Sequence, residues 1–179
     1  KQVKKLSEEV DILRDNIFYF IKNLDESSIG ASGFYIDVLG YLQDTAQSLD
    51  LISKISYKHI NNNHKNLKGT QIAELIEIDN KLEILFSDTE KAFKSESFDQ
   101  IQFIINEKKE VLKLVKEKII KQVEHTRESE SSPKNTTLYF SILLETKDVL
   151  SSTMNLLQEY HDAHDGSIEP AVISETDSE

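Results

Sequence analysis

The feature that most constrains this chain is a spacing. Val3, Leu6, Val10, Leu13, Ile17, Phe20 and Leu24 recur at intervals of three and four residues. On a helix of 3.6 residues per turn, that interval lines one face with apolar side chains. Seams of the same kind run through Tyr35, Val38, Leu42, Thr45, Leu49 and Ile52, and through Ile72, Leu75, Leu82, Leu85, Phe86 and Phe93. Two more follow: Ile101, Ile104, Val111, Leu112, Val115, Ile119 and Val123, then Tyr139, Leu143, Leu150, Met154, Leu157 and Tyr160. Only 5 Gly and 2 Pro interrupt 179 residues, which suits long helices and not a many-turned sandwich or barrel. The expected fold is all-α: an elongated antiparallel bundle of five to six helices.

Local signals place the ends. Helix 1 is expected over about 2–25, with Asp25 to Gly30 as a loop. Helix 2 runs from Ser32 to Ile60, where Lys58 and His59 oppose the dipole of the last turn. The asparagines that follow are weak helix formers and tolerate the left-handed conformation. Helix 3 starts after Gly69 with Thr70 as N-cap. Ser97-Phe98-Asp99-Gln100 has capping-box form and opens helix 4. Ser132 caps helix 5, with Pro133 in its first turn and an end near 162.

Charge narrows the partners. The net charge is −11, and the last fifteen residues hold five acids and no base. Removing those five leaves about −6 on the body, a balance that repels phosphodiester backbones and disfavours nucleic acid. Residues 165–179 read as an acidic, disordered tail. The lysines of helix 4, Lys108, Lys109, Lys113, Lys116, Lys118 and Lys121, lie among Glu107, Glu110 and Glu117 and read as a solvated face. There is no cysteine, hence no disulfide or thiolate chemistry. No apolar run approaches the roughly 20 residues of a bilayer span, and no signal peptide is visible. The chain begins with Lys1, which suggests a piece of something longer.

A weak repeat runs through the chain. FYIDVLGYLQDTAQSLDLI (34–52) aligns without gaps on LYFSILLETKDVLSSTMNL (138–156), 104 residues on. Tyr35 falls on Tyr139, Val38 on Ile142, Leu39 on Leu143, Asp44 on Asp148 and Ser48 on Ser152. We therefore expect two related halves, about 1–95 and 97–164, with helix 3 in the first. Asp44 and Asp148 sit amid apolar seams, so a partly buried carboxylate in need of a partner is expected at each. Lys147 points elsewhere on its helix, so that partner should come from another one. An interhelical salt bridge or hydrogen bond, and a metal or phosphate-linked site, with Asp44, Glu145 and Asp148 as the metal candidates, are the alternatives.

The histidines carry no recognisable chemistry. His64, in NNNHKNLKGTQ, approaches the H-x-L-K-G pattern of phosphotransfer domains, but its Lys and Gly follow by four and five residues instead of three and four. His125 and His161 have no kinase-type surroundings. His161 and His164, beside Asp162 and Asp165, have a spacing that could hold Zn or Ni, against a frayed helix end as the alternative. Paired E-x-x-H helices, a nucleophile triad and a glycine-rich phosphate loop are all missing.

Three stretches carry a resemblance: YLQDTAQSLDLISKISYKHINNNHKNL, ELIEIDNKLEILF and LYFSILLETKDVLSSTMNLLQEY. Together with the repeated helices they resemble the PhoU-like phosphate-regulatory family, most of all the cytoplasmic region appended to some inorganic phosphate permeases, over most of residues 5–162. The resemblance implies paired three-helix bundles and a non-catalytic role in controlling phosphate transport. The partner it implies is the membrane domain of a phosphate transporter, in the same or another chain. The location it implies is the cytoplasmic face of the inner membrane. Some members hold iron or zinc through E/D-x-x-x-D motifs on the repeated helices. Here Gly40 and Leu144 stand four residues before Asp44 and Asp148, and Glu145 only three before Asp148; Asp11 and Asp15 have the spacing but lie on helix 1. Metal binding therefore does not transfer, and no cofactor is expected beyond the metal alternative above. The competing reading is a freestanding cytoplasmic interaction module, homodimeric through the helix 1 seam.

Overall fold

The structure, a computed structural model, describes residues 1–95, 98–128 and 132–163. They form five helices: α1 (Gln2–Lys22), α2 (Ser32–Asn61), α3 (Gly69–Lys94), α4 (Ile101–Glu128) and α5 (Pro133–Asp162). Short 3-10 turns at Glu26–Ala31 and Phe98–Gln100 precede α2 and α4. No strand occurs among the described residues, and the chain is an all-α bundle as its periodicity predicts.

The helix ends differ from expectation in detail. α1 stops at Lys22, so Leu24 lies beyond the seam. Thr70 is not the cap of α3: the helix already includes Gly69, and Lys68 is the cap residue. Its backbone N–H donates to Oε1 of Gln71 at 3.0 Å, so the first-turn glutamine satisfies the helix entry. Ser97 lies outside the described residues. Ser132 does precede Pro133, but its hydroxyl makes no capping hydrogen bond. Asn63 takes the left-handed conformation, φ 51°, that lets the chain leave α2.

The helices pack in the order α1, α2, α5, α4, α3. α2 and α5 run antiparallel. The rings of Phe34 and Tyr160 meet edge to face at 5.3 Å at one end, and Lys58 and His59 lie across from Lys134, Thr137 and Leu138 at the other. That register sets Ala46 at about the same level as Leu150, both buried. The repeat carries residue 46 onto 150, so the crossing is a pseudo-two-fold centre. Ser48 and Ser152, equivalent about it, are 7% and 8% exposed.

The equivalence ends at α3. Ile78 and Leu85 of α3 close a core with Val111 and Val115 of α4 and Tyr139, Leu143 and Leu150 of α5. A second cluster of Ala92, Ile101, Ile104, Ile105 and Leu157 continues it. Helix 3, expected with the first half, thus covers the second. Tyr139 and Leu143 are 0% exposed, whereas their counterparts Tyr35 and Leu39 are only half-buried. Those two residues line an apolar groove of about 340 Å³ with Leu13, Ile17 and Phe20 of α1.

Polar groups lock α3 in place. The Tyr139 hydroxyl donates to Glu74 Oε2 at 2.6 Å, and Lys121 Nζ donates to Glu74 Oε1 at 2.7 Å. Lys118 joins Glu77 at 3.0 Å, and the buried Gln71 and Gln122 amides bond at 3.1 Å. Burial raises the Glu74 carboxyl, but the Lys121 and Tyr139 hydrogen bonds and both lysine charges outweigh it and hold the group below its ordinary value.

Lys108 is not on the solvated face. It occupies the seam position between Ile104 and Val111 and is 0% exposed, with no hydrogen-bond acceptor for its Nζ among the described residues. The Phe86 ring, 5.1 Å away, offers its π-face. Burial brings the ammonium down to about 8 from the ordinary 10.5. Between those values the unfolded chain binds more protons than the folded one, so stability rises with pH there, and the charge penalty is full below about pH 8. Lys108→Met should raise unfolding free energy by roughly 1–3 kcal/mol at pH 7, a gain that is mostly lost at pH 10 and vanishes only above the ordinary lysine value of 10.5. Urea titrations at the two pH values check both the sign and the trend.

Candidate functional site

The structure brings the three carboxylates named from sequence to one groove. Asp44, Gln47, Ser48 and Leu51 of α2 face Glu145, Asp148, Ser151 and Ser152 of α5 around about 390 Å³. The groove flanks the Ala46/Leu150 crossing, so Asp44 beside Ser152 and Asp148 beside Ser48 are equivalent corners of it. Small side chains open it: serines at 48, 151 and 152 leave room that longer residues would fill.

Its electrostatics are not those expected. Asp44 and Asp148 are exposed and Glu145 is half-buried, so neither aspartate needs a partner to offset desolvation. The cation nearest Asp148 is its own neighbour, Lys147, at a loose 3.8 Å, and not a group from another helix. Such an exposed pair contributes little. No group of three or more His, Asp or Glu side chains that could hold a metal ion occurs among the described residues. The groove gathers acids but does not converge them on a point.

The histidines fall elsewhere. His161 Nδ1 sits 3.2 Å from Asp162 Oδ1 on the same turn, while His164 and Asp165 lie outside the described residues. His64 lies in the α2–α3 connection, its ring edge-to-face on that of His59 at 5.1 Å. His59 is buried, and its Nε2 donates to the Lys65 carbonyl at 3.0 Å, which pins the connection against α2. Asn135 of α5 adds a second tie, its Nδ2 donating to the Asn66 carbonyl at 2.6 Å.

Two features escape a sequence reading of the site. Glu74, which joins α3, α4 and α5, looks like any acid on a mixed helix. Lys108 did carry a signal, because it stands four residues after Ile104 and three before Val111, on the seam itself. Searches against protein-family models, curated proteins and solved structures find no match to this chain.

Two results follow for the acidic groove. Protein carrying Asp44→Ala and Asp148→Ala, purified without chelator, should contain the same metal by elemental analysis as the unaltered chain. Loss of a stoichiometric metal in the variant would restore the metal reading. Asp44→Asn with Asp148→Asn should shift unfolding free energy by no more than about 0.5 kcal/mol per site, as for exposed surface positions.

Proposed function

We propose that this chain is a non-catalytic regulatory module of the PhoU-like kind that controls inorganic phosphate transport through contacts with a transporter's membrane domain. The observation that carries the reading is that α3 covers one side of the α2/α5 frame only. The apolar face of α4 and α5 is closed by the amphipathic α3; the corresponding face of α1 and α2 is an open groove. A surface whose counterpart already takes a helix has the shape for an amphipathic helix of the regulated partner. Contacts that form in one transporter state and not in another would supply the differential affinity that regulation requires. No described helix is long and apolar enough to cross a membrane, so in this reading the spanning part lies outside these residues, in the same or another chain. The module would work at the cytoplasmic face of the inner membrane.

A specific observation favours a second reading. α1 exposes Ile12, Leu13, Phe18 and Tyr19 at 59%, 51%, 66% and 63%, a face that could equally pair with a second copy in a freestanding dimer.

The experiment uses the full-length protein in its own cell. Leu13→Asp, at a half-exposed groove position, should abolish phosphate-dependent control of uptake as fully as deletion of the module, while its thermal unfolding stays close to that of the unaltered protein. An unchanged phosphate response in both variants contradicts the regulatory reading. A monomer–dimer shift caused by Leu13→Asp, with transport untouched, supports the second.

A further inference from the structure

We propose that the end of the bundle where α2 finishes and α5 begins is a binding site for an oxyanion of the phosphate class, either inorganic phosphate or a phosphomonoester headgroup. This rests on the site's own charge and geometry, and it holds whether or not the module regulates a transporter.

The charge distribution singles this end out. The chain carries −11 overall, yet residues 51–73 and 131–144 contain no acid at all. Those two segments hold Lys54, Lys58, Lys65, Lys68 and Lys134, with His59 and His64. Lys54 is answered by Asp50 at 2.5 Å on the preceding turn. Lys58 and Lys134 make no ion pair with the described residues.

The fold then brings these segments together around a cavity of about 200 Å³. Lys58, His59, Asn62 and His64 come from the last turn of α2 and its exit; Lys134, Thr137 and Ser141 come from the first turns of α5. Ile55 and Leu138 make its apolar floor. None of the lining side chains is a carboxylate, and Lys58, Asn62, His64 and Lys134 carry donors, while the Thr137 hydroxyl and His59 Nε2 already donate to the Pro133 and Lys65 carbonyls. The wall is held in place beforehand. Asn63 turns the chain back at φ 51°, His59 is bonded to the Lys65 carbonyl, and His64 rests on His59. The volume is below the roughly 300–1,000 Å³ of pockets that take drug-sized organic ligands, which favours a small ion or an exposed headgroup.

A structural explanation accounts for half of the cluster only. Lys58 and His59 stand at the C-terminus of α2, where a cation complements the helix dipole. Lys134 stands in the first turn of α5, where a cation opposes the dipole, and no acid occurs in that turn to compensate. Two lysines facing one small cavity with no counterion among the described residues repel each other. An oxyanion between them relieves the repulsion and lies near the α5 N-terminus, whose dipole favours an anion.

The test titrates the whole chain with inorganic phosphate by calorimetry at low ionic strength. In parallel, it is sedimented with phosphatidylcholine vesicles with and without phosphatidic acid. The proposal expects saturable one-to-one binding to at least one of the two phosphate sources. Lys58→Gln/Lys134→Gln should weaken that binding tenfold or more, while Lys4→Gln/Lys5→Gln on α1, which removes the same charge, leaves it unchanged. Both variants alter exposed side chains, and helical circular dichroism checks that they fold. Binding to free phosphate identifies the ion, and binding only to phosphatidate vesicles identifies the headgroup. Absence of saturable binding to either source, or equal weakening in both variants, overturns the site.

Discussion

The antiparallel crossing of α2 on α5 is the contact on which the rest of the bundle depends. It is the one interface made by both members of the repeated pair, and small side chains, Ser48 on α2 and Ser151 and Ser152 on α5, line it near its centre. Side chains at a helix contact set the interaxial distance, and small ones let the backbones approach. Each repeated helix then offers its remaining apolar face outward. α2 takes α1 and α5 takes α4, so the four-helix ladder is built by one operation performed twice.

α3 breaks that operation, and the break gives the molecule its character. On the α4/α5 side, α3 completes a dry core around Tyr139, Leu143 and Val115 and is held by the half-buried Glu74 among Tyr139, Lys118 and Lys121. On the α1/α2 side nothing described plays that part. Tyr35 and Leu39 are left half-buried, and α1 exposes Ile12, Leu13, Phe18, Tyr19 and Ile21 among its charged residues. The two ends of the crossing differ as well. One is closed by the aromatic contacts of Phe34 and Phe93 with Tyr160; the other is basic, polar and hollow. The open helix-shaped groove is therefore a consequence of a symmetric frame completed on one side only.

How much of this was legible in the sequence follows from the range of each signal. The five helices were, because a three-and-four spacing is a local property that many residues repeat. The partner of α3 was not: an amphipathic period gives a helix a face to bury but does not name the neighbour that buries it. For that reason helix 3 was expected with the wrong pair. Asp44 shows the same limit at one residue. Flanked by seam residues it looked partly buried, yet two positions past Leu42 it lies about 200° around the helix, towards water. Asp44, Glu145 and Asp148, named together from the sequence, do line one groove, because the antiparallel register of α2 on α5 brings their levels together. The basic end was invisible as a site because its lysines and histidines lie on segments some 70 residues apart, each with an ordinary local explanation.

The central claim is that α2 and α5 cross as equivalent halves about Ala46 and Leu150, and paired spin labels measure it most directly. The chain has no cysteine, so labels can be placed at will. One variant carries them at positions 44 and 152, another at 48 and 148, all beside the same groove. The account predicts coincident distance distributions, because the two pairs are images of each other. Two clearly separated distances would contradict the pseudo-two-fold crossing, and with it the identification of the α1/α2 groove as the open counterpart of the surface that α3 covers.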